Sequence, residues 1–442
     1  MQAKGNTGRN GPVTRRLALL ATVLAAGVSL PGFPGLPISS PALAATLTIS
    51  CGAVAMEYRV CREGVQAWER ETGHNVTVIP APNSSTERLA LYQQILSGGT
   101  SDIDVFQIDV YWPGLLAGGL MDLSPYAQDA VAEHFPASIA NNTVEGRLVA
   151  MPWFGDAGLL YYRKDLLEKY GKSVPTTWQE LTSTAEAVQR SERLDGQPHL
   201  WGFVFQARAY EGLTCVALEW VASFGGGMFI ASDGEISIDN PAAEQALALA
   251  ASWIGHIAPV GVLNYTEEES RRVFQSGNAV FMRNWPYAWA LVNGEDSTVR
   301  DKVGVAHLPR GADGAPAGGT LGGWQLAVAR NTIYPREAAD LVLYLTGRAE
   351  QKRRAIRASF NPTIPALYRD PDVLAAVPFL EKLRDTFDMT FARPSGVTGT
   401  RYPQVSQAIF TRIHAALSGH STSRETIATL ARDLKALRRD GW

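Results

Sequence analysis

Two hydrophobic periods alternate along the chain after Ala44. Ala45–Ser50 is a short apolar and β-branched run, which predicts a strand opening onto Gly52. Val60–Thr72 repeats its apolar residues at the helical period and stops at Gly73, a residue suited to a left-handed cap. Val76–Ile79 reads as a second strand, Thr86–Leu96 as a second helix ending in Gly98-Gly99, and Asp104–Ile108 as a third strand. This β-α-β-α-β order predicts a parallel sheet with helices on both faces. Ligands of such sheets sit beyond the carboxyl ends of the strands. The loop from Gly52 to Glu57, the loop from Asp109 to Trp112 and the start of the Thr86 helix therefore face one cleft.

The middle of the chain keeps the alternation with longer helices. Strands are expected at Gly158–Tyr162 and Gly202–Phe205. Helices are expected at Asp165–Tyr170, at Thr177–Val188 with Thr176 or Thr177 as cap, and at Gly212–Phe224, Pro241–His256 and Glu267–Gln275. The last hundred or so residues return to a strand, Gln325–Ala329, and then become helical. Roughly 400 residues follow Ala44, too many for one ordinary core. No repeat, low-complexity tract or glycine-serine linker divides them. Two α/β lobes whose chain crosses between them more than once account for the missing linker.

The segment FQSGNAVFMRNWPYAW, Phe274 to Trp289, is the densest aromatic feature. A turn at Ser276-Gly277-Asn278 leads into the apolar strand Ala279–Met282, which stops at Arg283-Asn284 and delivers Trp285, Pro286, Tyr287 and Trp289 into a loop. Indole and phenol faces stack on the C–H faces of sugars while their polar edges bond hydroxyls.

Charge and cysteine usage narrow the class. Lys4, Arg9, Arg15 and Arg16 precede an apolar stretch from Leu17 to Leu30, no acid occurs before Ala44, and Ala42-Leu43-Ala44 has the small residues a signal peptidase reads. A signal peptide over residues 1–44 is expected, hence export to the periplasm. The apolar stretch is short for a membrane span, which needs ~20 residues, and three prolines follow it. Thr14-Arg15-Arg16-Leu17 also looks like a twin-arginine export signal, and the residues before Cys51 depart from a lipid-anchor pattern. Cleavage would remove four of the 40 basic residues and none of the 43 acids, moving the formal charge from −3 to −7. That balance argues against nucleic acid or an anionic membrane surface as partner. Three cysteines are too few for a disulfide scaffold. Cys51 and Cys61 could pair after export, and Cys215, inside the apolar run Leu213–Val221, reads as a buried thiol.

Several segments resemble one family. They are DAGLLYYRKDLLEKYG (Asp156–Gly171) with TWQEL (Thr177–Leu181), GFVFQ (Gly202–Gln206) with YEGL (Tyr210–Leu213), RNWPYAW (Arg283–Trp289) and TLGGW (Thr320–Trp324). Together they resemble the solute-binding proteins of ABC sugar importers, and most of all the trehalose/maltose-binding proteins. The resemblance implies the α/β fold of a two-lobed, type II periplasmic binding protein. Each lobe would be a mixed, mostly parallel sheet flanked by helices, with the ligand cleft between lobes. It implies a first lobe from residues 45–153 and 318–366 and a second from 154–317 and 367–442. It further implies a monomer that binds an α-glucoside disaccharide (trehalose or maltose, possibly sucrose), uses no cofactor and hands the sugar to the transmembrane permease subunits.

Candidate contacts follow from chemistry and resemblance together. Asp109, after the third strand, and Asp156, between Gly155 and Ala157 ahead of a strand, are carboxylates able to accept from adjacent hydroxyls. Glu57 and Arg88 look like the family's first-lobe acid and arginine. Trp285 and Trp324 are the expected stacking platforms, with Tyr287 beside the first, and Gly322 and Gly323 would let backbone approach the sugar. Phe154 departs from the tyrosine of well-known members, keeping the ring without the hydroxyl. Arg393, in ARPSGVTGTRYPQ, resembles the arginine of a late binding loop, with Arg401 as rival. Tyr111 and Trp112 either floor the cleft or pack the lobe.

Two other classes are weighed against this reading. Asp109 and Asp156 could be the acid pair of a glycosidase. The sequence has no G-x-S-x-G elbow, H-E-x-x-H, phosphate loop or histidine cluster. A polyamine site would need several acids around a cation, and an iron site paired tyrosines or histidines. Tyr161-Tyr162 sits on a strand, where neighbours point to opposite faces.

Overall fold

The computed structural model describes residues 44–442 apart from 53–54, 101, 312–313 and 382–388. The expected signal peptide, up to residue 43, lies outside the described residues. Two sheets organise the rest. The first has the order β2 (Asn75–Ile79), β1 (Thr46–Ser50), β3 (Val105–Asp109), β11 (Leu321–Val328), β6 (Met151–Ala157). The second has the order β10 (Val303–Ala306), β7 (Leu159–Arg163), β9 (Ala279–Asn284), β8 (Trp201–Val204). A small hairpin joins β4 (Thr143–Val144) to β5 (Arg147–Leu148). In each sheet one strand runs against the others, β11 in the first and β7 in the second. This is the two-lobed, mixed α/β architecture of a type II periplasmic binding protein.

The expected periodicities place the elements, with boundaries moved where packing decides. Helix α1 (Ala55–Thr72) begins five residues before the expected Val60, so Glu57 lies in its first turn. Helix α2 (Ser85–Gly98) starts on a Ser84 cap that accepts from the Glu87 N–H and ends on Gly99 in the left-handed region. The helix Trp178–Leu194 carries a full capping box, Thr177 with Glu180, and runs past the expected Val188. One expectation is extended. Asp156 precedes the strand β7, as expected, and also lies near the end of β6, whose pairing with β11 shifts register at Trp324/Gln325.

Cys51 and Cys61 are joined in a disulfide that clips the end of β1 to α1, and Cys215 is a buried free thiol. The first lobe packs α1, with Val60, Val65 and Trp68, against the helix Pro335–Thr346 and the strands of the first sheet. The second lobe packs the helices Glu211–Ser223, Pro241–Trp253, Tyr402–Leu417 and Ser423–Arg438 around Trp178, Trp220 and Trp253. The chain leaves the first sheet at Gly158, between β6 and β7, and returns to it at β11.

Candidate functional site

The carboxyl ends of the first sheet meet the loops of the second around a partly open cavity whose empty space, adjoining solvent included, is about 730 Å³. Glu57, Arg88, Asp109, Phe154, Asp156, Trp285, Tyr287, Gly322, Gly323, Trp324 and Arg393 all line it. The structure therefore gathers these eleven expected contacts around one cavity.

On the first lobe, Gln107 of β3 organises the start of α1. Its Oε1 accepts the Gly52 N–H at 2.6 Å while its Nε2 donates to Glu57. Arg88 donates Nε to Pro82 O at 3.0 Å and lies 4.2 Å over the Trp324 ring, covering one face of the indole. Its Nη1 has no protein partner among the described residues. Asp109 ends β3 opposite Trp324, and its Oδ1 accepts from Arg393 Nη2 at 2.7 Å. Burial raises the Asp109 pKa, against the pull of the Arg393 charge.

Asp156 faces Gly322 across the β6–β11 ladder, and its Oδ1 is buried without a hydrogen-bond partner among the described residues. Its pKa is raised well above the usual carboxylate range, first by burial and then by the charges of Glu57 and Asp109, with Arg283 and Arg354 opposing. Phe154 stacks obliquely on Phe360 at 4.5 Å, and Arg354 lies 4.8 Å from its ring.

On the second lobe, Trp285 follows β9. Its indole N–H reaches Glu267 at 3.3 Å, and Tyr210 donates its hydroxyl to the other oxygen of Glu267 at 2.7 Å. Arg283 covers one face of Trp285 at 3.9 Å, so both cleft tryptophans have a guanidinium behind them. Tyr287 is held by its hydroxyl, which donates to Glu268 at 2.8 Å. Arg393 joins the lobes. Besides Asp109 it donates to Glu211 at 3.0 Å, and Glu211 also accepts from Tyr402 at 2.6 Å and from Ser406.

The open alternatives divide cleanly. Arg401 lies away from the cavity and caps the last helix, donating to Leu437 O at 2.8 Å and Arg438 O at 2.7 Å. Trp289 packs edge-on against Phe379 and does not line the cavity. Tyr111 and Trp112 are core residues, although Tyr111 lies under the Arg393 guanidinium at 4.3 Å and Trp112 meets Trp324 edge-on at 5.6 Å. The sequence reading missed Asn83, Ser85, Glu211, Glu267 and Phe360 as lining residues. Glu211 was visible only inside the YEGL motif and Glu267 only as a helix start.

This arrangement offers acids and arginines that bond hydroxyls, and indoles that cover apolar ring faces. Among the described residues no His/Cys/Asp/Glu group could hold a metal ion. The family model described as bacterial extracellular solute-binding protein matches residues 58–352. A probable ABC transporter-binding protein of Deinococcus radiodurans is 51% identical over 406 residues, covering 91% of this chain and 96% of its own.

The chain belongs to the bacterial extracellular solute-binding proteins.

Within that family it is of the ABC-transporter sugar-binding type, which works outside the cytoplasmic membrane and carries out no catalysis. The glycosidase alternative falls with that membership. Maltose-bound T. maritima MalE3 superposes with a TM-score of 0.84 at 41% identity, covering 89% of this chain and all of that one. A mannitol-binding protein of Pseudomonas aeruginosa is 26% identical over 75% of this chain and 80% of its own. No helix among the described residues is long and apolar enough to cross a membrane.

Proposed function

We propose that this solute-binding protein is the receptor for an α-linked glucose disaccharide, trehalose or maltose, and delivers it as a monomer to the permease of an ABC importer. The observation that carries the reading is the pair of cavity tryptophans, Trp285 and Trp324, each covered on one face by a buried arginine. Two platforms on two lobes suit a ligand of two sugar rings. Similarity to a maltose-bound structure at 41% identity favours a glucose disaccharide over a single sugar alcohol.

In this reading residues 1–44 are the removed signal. The lobes are assembled from 45–153 with 318–366, and from 154–317 with 367–442. Glu57, Arg88, Asp109 and Trp324 hold the sugar from the first lobe, and Trp285, Tyr287 and Arg393 close on it from the second. Asp156, with its unpartnered oxygen, accepts a hydroxyl between them, and Phe154 and the backbone at Gly322 and Gly323 line the same face. Only a ligand that touches both lobes favours the closed form.

Titration calorimetry of the mature protein with trehalose, maltose, sucrose, glucose, mannitol and cellobiose tests this. Saturable heat with an α-glucoside and no released glucose is the expected result. Heat with mannitol alone would move the ligand class to sugar alcohols, and no heat with any of them would remove the carbohydrate assignment.

A further inference from the structure

The motif that carries Trp285 begins with Arg283, which does not line the cleft. Arg283 donates Nε to Glu219 Oε2 at 2.9 Å and Nη2 to Glu219 Oε1, while Nη1 reaches Gln206 at 3.2 Å. Both side chains of this ion pair are 1% exposed. The guanidinium carbon also stands 3.9 Å from the Trp285 ring centre. Desolvation cancels much of what such a pair contributes to stability, so its presence calls for a second role.

Glu219 leads from there to the chain crossings. Its Oε1 accepts the Thr320 N–H at 2.9 Å, just where the chain enters β11, and Thr320 Oγ1 donates to Cys215 O at 2.7 Å. Gly158, where the chain leaves the first sheet, lies against the same pair. A Cβ on Gly158 would meet Arg283 Nη2 at 2.6 Å and collide with Glu219 Oε1. Gly319 packs onto Gly158, its own Cβ position 2.5 Å from Gly158 N. Phe391 then clasps the return strand, donating its N–H to Gly319 O at 2.9 Å and accepting from Leu321 at 2.9 Å. Three stretches of chain meet around one ion pair whose far end supports a cleft tryptophan.

We propose that Arg283 and Glu219 are a positioning pair that couples sugar stacking on Trp285 to the crossings between the lobes, so that ligand affinity and lobe closure are set together. The proposal rests on the sugar-receptor reading. A sugar against the open side of Trp285 fixes the indole on Arg283, and Glu219 transmits the constraint to the Thr320 amide. A loosened pair would leave the indole in place but let binding and closure separate.

The test uses maltose and trehalose with the mature wild-type protein, Arg283→Lys and Gly158→Ala. The lysine keeps the charge but loses the flat two-pronged contact, and the alanine disturbs the pair without removing a charge. Calorimetry gives affinity, small-angle scattering gives closure, and hydrogen exchange follows the Thr320 amide in the wild type. Expected are binding weakened about tenfold or more in a folded variant, a smaller contraction at saturating sugar, and slower Thr320 exchange on binding in the wild type. Wild-type affinity and contraction in a folded variant, or Thr320 exchange indifferent to sugar, would overturn the coupling and leave the receptor reading standing. Should both variants fail to fold, the exchange experiment decides alone. Wild-type protein that binds neither sugar overturns the disaccharide reading and this coupling with it.

Discussion

Gly322 and Trp285 touch across the two lobes: a Cβ built on Gly322 would stand 3.2 Å from Cζ3 of the indole and 3.1 Å from the Asp156 Cβ. Space, rather than backbone conformation, demands glycine here, because only its neighbour Gly323 has a positive φ, +135°. Gly322→Ala should push Trp285 off its place while β11 keeps its pairing. Overpacking of this kind costs about 1–3 kcal/mol, and if it falls on the sugar-bound form the affinity drops about five- to 150-fold. Calorimetry should find that loss with an unchanged far-ultraviolet spectrum, and unaltered affinity would remove the contact from the binding site.

Asp109, Arg393 and Glu211 form one buried charge cluster, so their substitutions should differ in kind. Arg393→Met leaves two buried carboxylates without their shared cation. Removing one partner of such a pair costs about 3–5 kcal/mol, so this variant should lose both stability and sugar binding. Asp109→Asn keeps an acceptor for Arg393 and should lose binding while unfolding within about 2 kcal/mol of the wild type. Denaturant titrations beside calorimetry separate the two. Equal destabilisation in both variants would contradict the cluster as described.

The disulfide supports the cleft through Glu57. Cys51 and Cys61 are ten residues apart and enclose the turn that carries Gly52 and Glu57. Closing a loop of that length stabilises by about 3 kcal/mol in the chain-entropy model. The Cys51→Ser, Cys61→Ser double variant should unfold earlier by that order. It should also bind sugar more weakly, since the clip that fixes the start of α1, and Glu57 with it, is gone. Stability falling with affinity intact would show that Glu57 keeps its place without the disulfide.

Much of this was legible in the chain because the relevant signals are local. Gly73 and Gly99 end α1 and α2 with positive φ, as glycines placed just after a helical run indicate. Trp285 announced itself by following a strand end in an aromatic loop, and Trp324 by following two glycines, although it proves to lie within β11. What stayed hidden depends on pairing between distant segments. Asp156 reads as a residue ahead of a strand, and only the ladder with β11 shows that it also belongs to β6. Glu267 read as an ordinary helix start and Glu211 only as part of YEGL, since nothing near them in sequence reveals that Arg393, Tyr402, Tyr210 and Trp285 converge on them. The choice between Arg393 and Arg401 likewise needed the third dimension, where one meets Asp109 and the other caps the last helix.

The carboxyl of Asp156 should make sugar binding depend on pH. Burial and the neighbouring Glu57 and Asp109 raise its pKa well above the ordinary 3.8, and its Oδ1 has no donor within the described protein. A carboxyl raised in the folded state contributes stability that is complete below its unfolded pKa and is lost as pH rises through the folded value. The sugar-free protein should therefore lose stability as pH climbs from about 4, and Asp156→Asn should flatten that slope. A sugar hydroxyl donating to Oδ1 favours the ionised form, because charged acceptors bond more strongly. Binding should then release protons wherever Asp156 is partly protonated, and affinity should strengthen with rising pH across that range. Calorimetry in two buffers of different ionisation enthalpy reads the release directly. Asp156→Asn should abolish it, and release that persists in that variant would assign the proton to another buried carboxyl of the cleft, Asp109 or Glu211, whose pKa values burial also raises.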